Sequence, residues 1–264
     1  MHNAGYSTMC GHGIIAVTTI ALERGLLMPG GDGRTIVYDT PAGTIRAAAT
    51  LGRSFAGRDT GEPGPVRVEG VAFVNVPSFV WHGALAVKLG SRQIRADVAF
   101  GGAFYAIVDS EAVGLPLDAA HVPELRRVGM DIGRAIETTH PVAHPLESGL
   151  SGIYGTIFTG PPNDPRADLR NVTVFADAQI DRSPCGTGTA AVMAVIDAMG
   201  LLADDRPFVH ESLVGTLFRD RVAGRTRVGD YEAIVPEIEG SAWITGEHTF
   251  LIDDEDPLKE GFRL

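Results

Sequence analysis

Residues 10–27 read CGHGIIAVTTIALERGLL, and residues 185–202 read CGTGTAAVMAVIDAMGLL. Aligned without gaps, the segments share eight of eighteen positions, from Cys10/Cys185, Gly11/Gly186 and Gly13/Gly188 at the start to a common Gly-Leu-Leu at the finish. The chain has only two cysteines, and each opens one copy. Two apolar helices rich in Ala, Val and Leu resemble each other by chance more readily than two helices with matching ends. The repeat therefore predicts two related halves, each a set of strands around one central helix.

A helix start is a chemically distinctive place for a thiol. The first N–H groups of a helix lack intrahelical acceptors and carry partial positive charge. Both effects favour the thiolate, which is the reactive form. Glycines beside the thiol let a ligand approach the backbone, and the same N–H groups bind anions such as a carboxylate. Two such starts facing each other would place a substrate Cα between two thiols, one removing a proton and the other delivering one. The plainer reading of each cysteine is a small buried hydrophobe in an apolar helix. Neither segment completes a dinucleotide-binding G-x-G-x-x-G, because Ala16 and Ala191 stand where the third glycine belongs. The cysteines also lack the local C-x-x-C or H-E-x-x-H partners of a zinc site.

The chain has 264 residues, of which 44% are hydrophobic and 21% charged, enough to build a sizeable core. A net charge of −11 argues against nucleic acid and anionic membranes as partners. No basic flank precedes an apolar block as in a secretory signal. No apolar run reaches the roughly 20 residues that span a bilayer. Two cysteines without an export signal point to free thiols in a reducing cytoplasm, with a Cys10–Cys185 disulfide as the alternative.

Helices are predicted over Gly11–Glu23, 122–138 and 186–199, the first and last ending at Gly25 and Gly200. Strands are predicted in TIVYDTP, GTIRAAAT, VRVEGVAFVNVPSFVW, IRADVAFGGAFYAIVD, NVTVFADAQI, RVAGRTRV and YEAIVPEIEGSAWITG. The histidines of HPVAHP (His140, His144) read as loop residues, and His210 and His248 as polar residues in strands. FGGAF at 100–104 reads as a bulge or a close backbone approach, and so as a wall of the pocket.

MCGHG at 9–13 and DRSPCGTGT at 181–189 resemble the two active-site motifs of the proline racemase family. The resemblance continues to the C-terminal SAWITGEHTFLIDDEDPLKEGF and so covers essentially the whole chain. That family includes proline racemase, 4-hydroxyproline 2-epimerase and trans-3-hydroxy-L-proline dehydratase. The resemblance implies an α/β, diaminopimelate-epimerase-like fold: two pseudo-symmetric domains, each a barrel-like sheet around a helix, with the site between them. It implies no cofactor and no metal. It makes Cys10 and Cys185 the acid/base pair. Gly11, His12, Gly186 and Thr187 would hold the substrate carboxylate and ring nitrogen, with Asp181 accepting from the ring N–H. Without the resemblance, Asp181 reads equally as a turn or N-cap aspartate, and His12 as helix-start packing.

Both thiols are present, which favours racemisation or 2-epimerisation of proline or a hydroxyproline. In the eukaryotic-type dehydratases of the family a threonine replaces the second cysteine. The stretch HNAGYSTMCGH nevertheless resembles the dehydratase side, so dehydration of trans-3-hydroxy-L-proline stands as the alternative. Family members carry a sizeable segment before the first motif, which here begins almost at Met1. The expectation is an incomplete first domain, residues 1–77 plus 240–264, and a second domain, residues 78–239. An inactive truncated remnant is the non-enzyme alternative. A homodimer and a small-molecule substrate complete the expectations.

Overall fold

The structure, a computed structural model, describes residues 5–27, 35–53, 66–203 and 205–261. In chain order its elements are α1 (Gly11–Glu23), β1 (Thr35–Thr40), β2 (Gly43–Arg53), β3 (Val66–Val74), β4 (Ser78–Leu89), β5 (Arg92–Phe100) and β6 (Phe104–Asp109). There follow α2 (Ser110–Val113), a 3-10 turn (Ala119–His121), α3 (Val122–Thr139), β7 (Ile153–Gly160), β8 (Leu169–Phe175) and β9 (Gln179–Ile180). The chain continues through α4 (Gly186–Ala198), β10 (Phe208–Glu211), β11 (Leu217–Val228) and β12 (Tyr231–Gly240).

Eight strands close on themselves in the order β4-β5-β6-β7-β8-β10-β11-β12, with β12 returning to β4 through Ala233↔Phe79 and Ile234↔Ser78. The far half of β12 instead pairs with β3, from Glu237↔Val74 to Gly240↔Val71, and β2 and β1 follow outward. β12 is thus shared between a closed barrel and an open sheet. Between β3 and β4, Pro77 cannot donate to a ladder. There the chain leaves one sheet for the other, tied by Asn75 N–H to Pro236 O at 2.8 Å.

The two related helices occupy unequal surroundings. α4 lies within the barrel and is buried at every position from Gly186 to Val195, so it can be apolar all round. α1 packs one face on β2 and β3 through Ile14, Ile15, Thr18 and Leu22. Its other face leaves Val17 and Ile20 46% and 42% exposed, and β1 has no outer partner among the described residues. Both helices end alike, with Gly25 and Gly200 at positive φ. Leu26 and Leu201 then donate back to Ala21 O and Ile196 O at 2.8 and 3.0 Å. This is the Schellman geometry, and it explains why Gly-Leu-Leu recurs.

α3 covers the outside of the barrel with Leu125, Gly129, Ile132 and Ile136. A Cβ on Gly129 would come within 2.9 Å of Val174, so the glycine that weakens the helix permits its packing. The three predicted helices form within one residue of expectation. The strand expectations were incomplete: β7 and the second half of β4 were not foreseen. The predicted strand over 231–246 stops at Gly240, and His248 lies in irregular chain rather than a strand. No helix among the described residues is long and apolar enough to cross a membrane.

Phe73, fully buried on β3, lies directly beneath the starts of α1 and α4. Phe73→Ala is expected to lower unfolding stability by about 3–5 kcal/mol, read as a lower urea midpoint with an unchanged slope.

Candidate active site

α1 and α4 meet start to start. A Cβ on Gly11 would lie 2.7 Å from the Gly186 Cα, and a Cβ on Gly186 would lie 2.7 Å from the Gly11 Cα. Only glycine at both positions allows this backbone contact. It sets Cys10 and Cys185 on the wall of one cavity of about 550 Å³. Gly11, His12, Asp181, Gly186 and Thr187 line the same cavity, so all seven residues singled out from the sequence converge there. Both cysteines are free.

Each thiol sits at the N-cap of its helix. The N–H of the third helical residue, Gly13 or Gly188, is directed at its sulfur. A Cβ on Gly13 or Gly188 would come within 3.1 or 3.0 Å of that sulfur. The surroundings otherwise differ. Cys10 opens to the cavity and is hydrogen-bonded to the His12 side chain. His12 Nδ1 lies 3.4 Å from Asp181 Oδ2 and 3.2 Å from Ser183 Oγ. Asp181 Oδ1 accepts from Ser183 N and Oγ, each at 2.9 Å.

The charges follow from these contacts. The hydrogen bond that His12 donates to Asp181, supported by Cys10, raises His12 to about 10. Burial works against ionisation of Cys10, but the His12 hydrogen bond and charge and the Gly13 N–H outweigh it, and the thiol falls below its ordinary value. Burial also opposes ionisation of Asp181, and His12 and Ser183 reverse that in the same way. His12 therefore stays protonated at neutral pH, and its charge shifts Cys10 toward the thiolate.

Cys185 is the opposite case. It is 6% exposed, and burial followed by the Asp181 charge pushes its thiol up to about 12. Tyr105 OH lies 3.5 Å from its sulfur and 2.6 Å from Thr187 Oγ1. Its backbone has φ +67, whereas Cys10 has φ −135. A non-glycine residue held there stores strain of about 1–3 kcal/mol. The turn is held from behind: Asn171 Nδ2 and Thr189 Oγ1 both donate to Pro184 O, at 2.7 and 3.1 Å. Thr189 Oγ1 in turn contacts Nδ1 of the fully buried His210 at 2.8 Å.

Residues 100–104 prove to be a close backbone approach. A Cβ on Gly101 would lie 2.2 Å from Thr187 O, and Gly102, at φ +111, presses on the Thr187 methyl. His140 and His144 lie away from the cavity, among Trp81, Phe79 and Phe100. Sequence reading missed Tyr105, Tyr154, Phe175 and Arg126, which also line the cavity. Tyr105 directly follows FGGAF, a signal that could have found it; the other three sit in segments with no motif.

The sequence profile of the proline racemase family matches residues 1–263. The chain is 46% identical over 264 residues to the trans-3-hydroxy-L-proline dehydratase of Bacillus cereus, covering all of this chain and 75% of that protein. It is 42% identical to a 3-hydroxyproline 2-epimerase of Burkholderia multivorans, over 99% of this chain and 75% of that one. The crystal structure of a hydroxyproline epimerase from Agrobacterium vitis, with bound trans-4-hydroxy-L-proline, superposes with a TM-score of 0.87 at 31% identity. That match covers all of this chain and 72% of the other. Fold and site define an enzyme of the two-helix, pseudo-symmetric isomerase and lyase class. This chain belongs to the proline racemase family and spans about three-quarters of the length of those relatives.

Iodoacetamide at pH 7 is expected to label Cys10 at least about tenfold faster than Cys185, because it attacks exposed thiolates. Peptide mass spectrometry reads the ratio. His12→Ala is expected to move the pH midpoint of Cys10 labelling upward.

Proposed function

We propose that this enzyme removes the Cα proton of trans-3-hydroxy-L-proline with the Cys10 thiolate and eliminates the 3-hydroxyl as water. The observation that carries the reading is the asymmetry of the site. One helix start holds a thiol whose ionisation a charged histidine favours, and the facing start holds a thiol whose ionisation burial opposes. A base is thus in place on one side, while the other side returns a proton less readily. The similarity to a named dehydratase supports elimination over the isomerisation that two thiols alone would favour.

Substrate binding follows from the two helix starts. The Gly13 and Gly188 N–H groups face the sulfurs. That leaves the N–H groups of Gly11, His12, Gly186 and Thr187 to hold the carboxylate, which gathers charge as Cα is deprotonated. Asp181 takes the cationic ring nitrogen, and the cavity is large enough for a five-membered ring. Two domains, 1–77 with 240–264 and 78–239, would close on the substrate. The proposed division runs between β3 and β4 and near the end of β12. A cytoplasmic location and a homodimer belong to the same proposal.

A second reading, 2-epimerisation of the same substrate, rests on Cys185 itself. A thiol facing Cys10 across the cavity can return a proton to the opposite face of Cα.

The test is proton NMR in D₂O with L-proline, trans-4-hydroxy-L-proline and trans-3-hydroxy-L-proline. Formation of a cyclic imine from the 3-hydroxy compound is expected. Cys10→Ser should abolish it, and Cys185→Ser should leave it within about tenfold, since removing a general acid/base costs about 10²–10⁴ only where that group acts. Appearance of the C2 epimer, lost in both variants, would establish the second reading instead. The rate should rise with pH as Cys10 ionises, and fall again as His12 loses its proton near 10.

A further inference from the structure

Hydroxide is a poor leaving group, so elimination from C3 needs an acid as well as a base. Stereochemistry says where that acid must stand. In trans-3-hydroxy-L-proline the hydroxyl and the carboxylate lie on opposite faces of the ring. The Cα hydrogen also lies opposite the carboxylate, so hydrogen and hydroxyl share a face. The base that removes one and the acid that protonates the other must then approach from the same side. A thiol on the opposite wall cannot serve.

The first helix start holds both groups. His12 follows Cys10 by two residues in the first turn of α1 and is hydrogen-bonded to it. The His12 side chain is 45% exposed and lines the cavity, with Nδ1 held toward Asp181 and Ser183. On the Cys185 side the nearest hydroxyl, Tyr105, is fully buried and engaged by Thr187. Building on the elimination reading above, we propose that His12 is the acid that protonates the departing 3-hydroxyl, on the same ring face as Cys10.

The step balances without a co-reactant. Cys10 takes the Cα proton, and the C–H electrons become the C2=C3 bond. The C3–O bond breaks, its electrons leaving with oxygen, and that oxygen takes a proton from His12 to become water. Cys10 is then a thiol and His12 a neutral imidazole. A proton passing along their hydrogen bond restores both, so Cys185 is not needed to complete the cycle. The enamine product tautomerises to the imine. The step starts from protonated His12 beside ionised Cys10, the arrangement their hydrogen bond favours.

The experiment separates an acid from a group that merely holds Cys10. Fluoride leaves without protonation, so trans-3-fluoro-L-proline needs the base but not the acid. His12→Gln and Tyr154→Phe would each be assayed for water elimination and for fluoride release, with melting temperature as the folding check. For His12→Gln we expect water elimination to fall at least about 100-fold, in the range for a lost general acid, with fluoride release falling far less. Tyr154→Phe, which removes another hydroxyl lining the cavity, should show no selective loss of water elimination over fluoride release. Equal losses of both activities in His12→Gln would overturn the assignment and leave His12 acting through Cys10 alone. The selective loss appearing in Tyr154→Phe instead would overturn it in favour of the tyrosine. A wild-type enzyme inert toward both substrates would overturn the elimination reading itself, and this assignment with it.

Discussion

The contact between Gly11 and Gly186 fixes everything that happens at the site. Two helix starts ordinarily repel each other, since each carries the positive end of its dipole. Here their backbones touch, at a separation that a single methyl group would prevent. The contact is maintained by what lies behind it: Phe73 beneath both glycines, the Gly101–Gly102 backbone against Thr187, and the closed barrel around α4. The arrangement concentrates unpaired N–H groups in one small volume. That is unfavourable when empty and favourable when a carboxylate enters, so the architecture is itself a statement about ligand charge.

Duplication of a helix start does not duplicate its chemistry. Both thiols receive an N–H from the third residue of their helix, yet one is shifted toward ionisation and the other away from it. That N–H is not the cause, because both sulfurs receive it even though Cys185 sits at φ +67 and Cys10 at φ −135. The difference lies at the second residue after each cysteine, histidine in one copy and threonine in the other, and in depth of burial. His12 brings a positive charge held by Asp181, while Thr187 brings only a hydroxyl already engaged by Tyr105. Asp181 acts on both sides at once, raising His12 on one and opposing ionisation of Cys185 on the other. One buried carboxylate thus polarises the pair.

The parts of this molecule legible in its sequence were those set by local physics. Cys-Gly-x-Gly and Gly-Leu-Leu state the start and stop of a helix, and α1 and α4 form where those signals stand. β7 escaped because its eight residues, Ile153–Gly160, run between a loop and a turn without a clear alternation: they are buried on both faces. The predicted strand beyond Gly240 failed for the complementary reason. SAWITG has the β-branched and aromatic residues of a strand but pairs with no strand among the described residues, and propensity without a partner decides little. In the site, the motifs supplied both thiols, Asp181 and His12. Tyr105 and Tyr154 come from the far side of the barrel, brought in by pairings between distant strands that no local pattern encodes.

The least legible feature is what keeps Cys185 in its unusual backbone conformation. Strain at a positive φ persists only where its neighbours over-determine the geometry, and here three buried side chains do so. Asn171 and Thr189 grip the Pro184 carbonyl, and His210 grips Thr189. Burial lowers His210 to about 3, so it is neutral throughout the working range. That neutrality matters to the chemistry. A charged histidine behind the turn would favour the Cys185 thiolate and erase the contrast with Cys10. A neutral one supplies a directional hydrogen bond and no field. The second helix start is therefore anchored by uncharged groups, while the first is tuned by charged ones, and that division lets one repeated motif present two thiols of opposite ionisation tendency to one cavity.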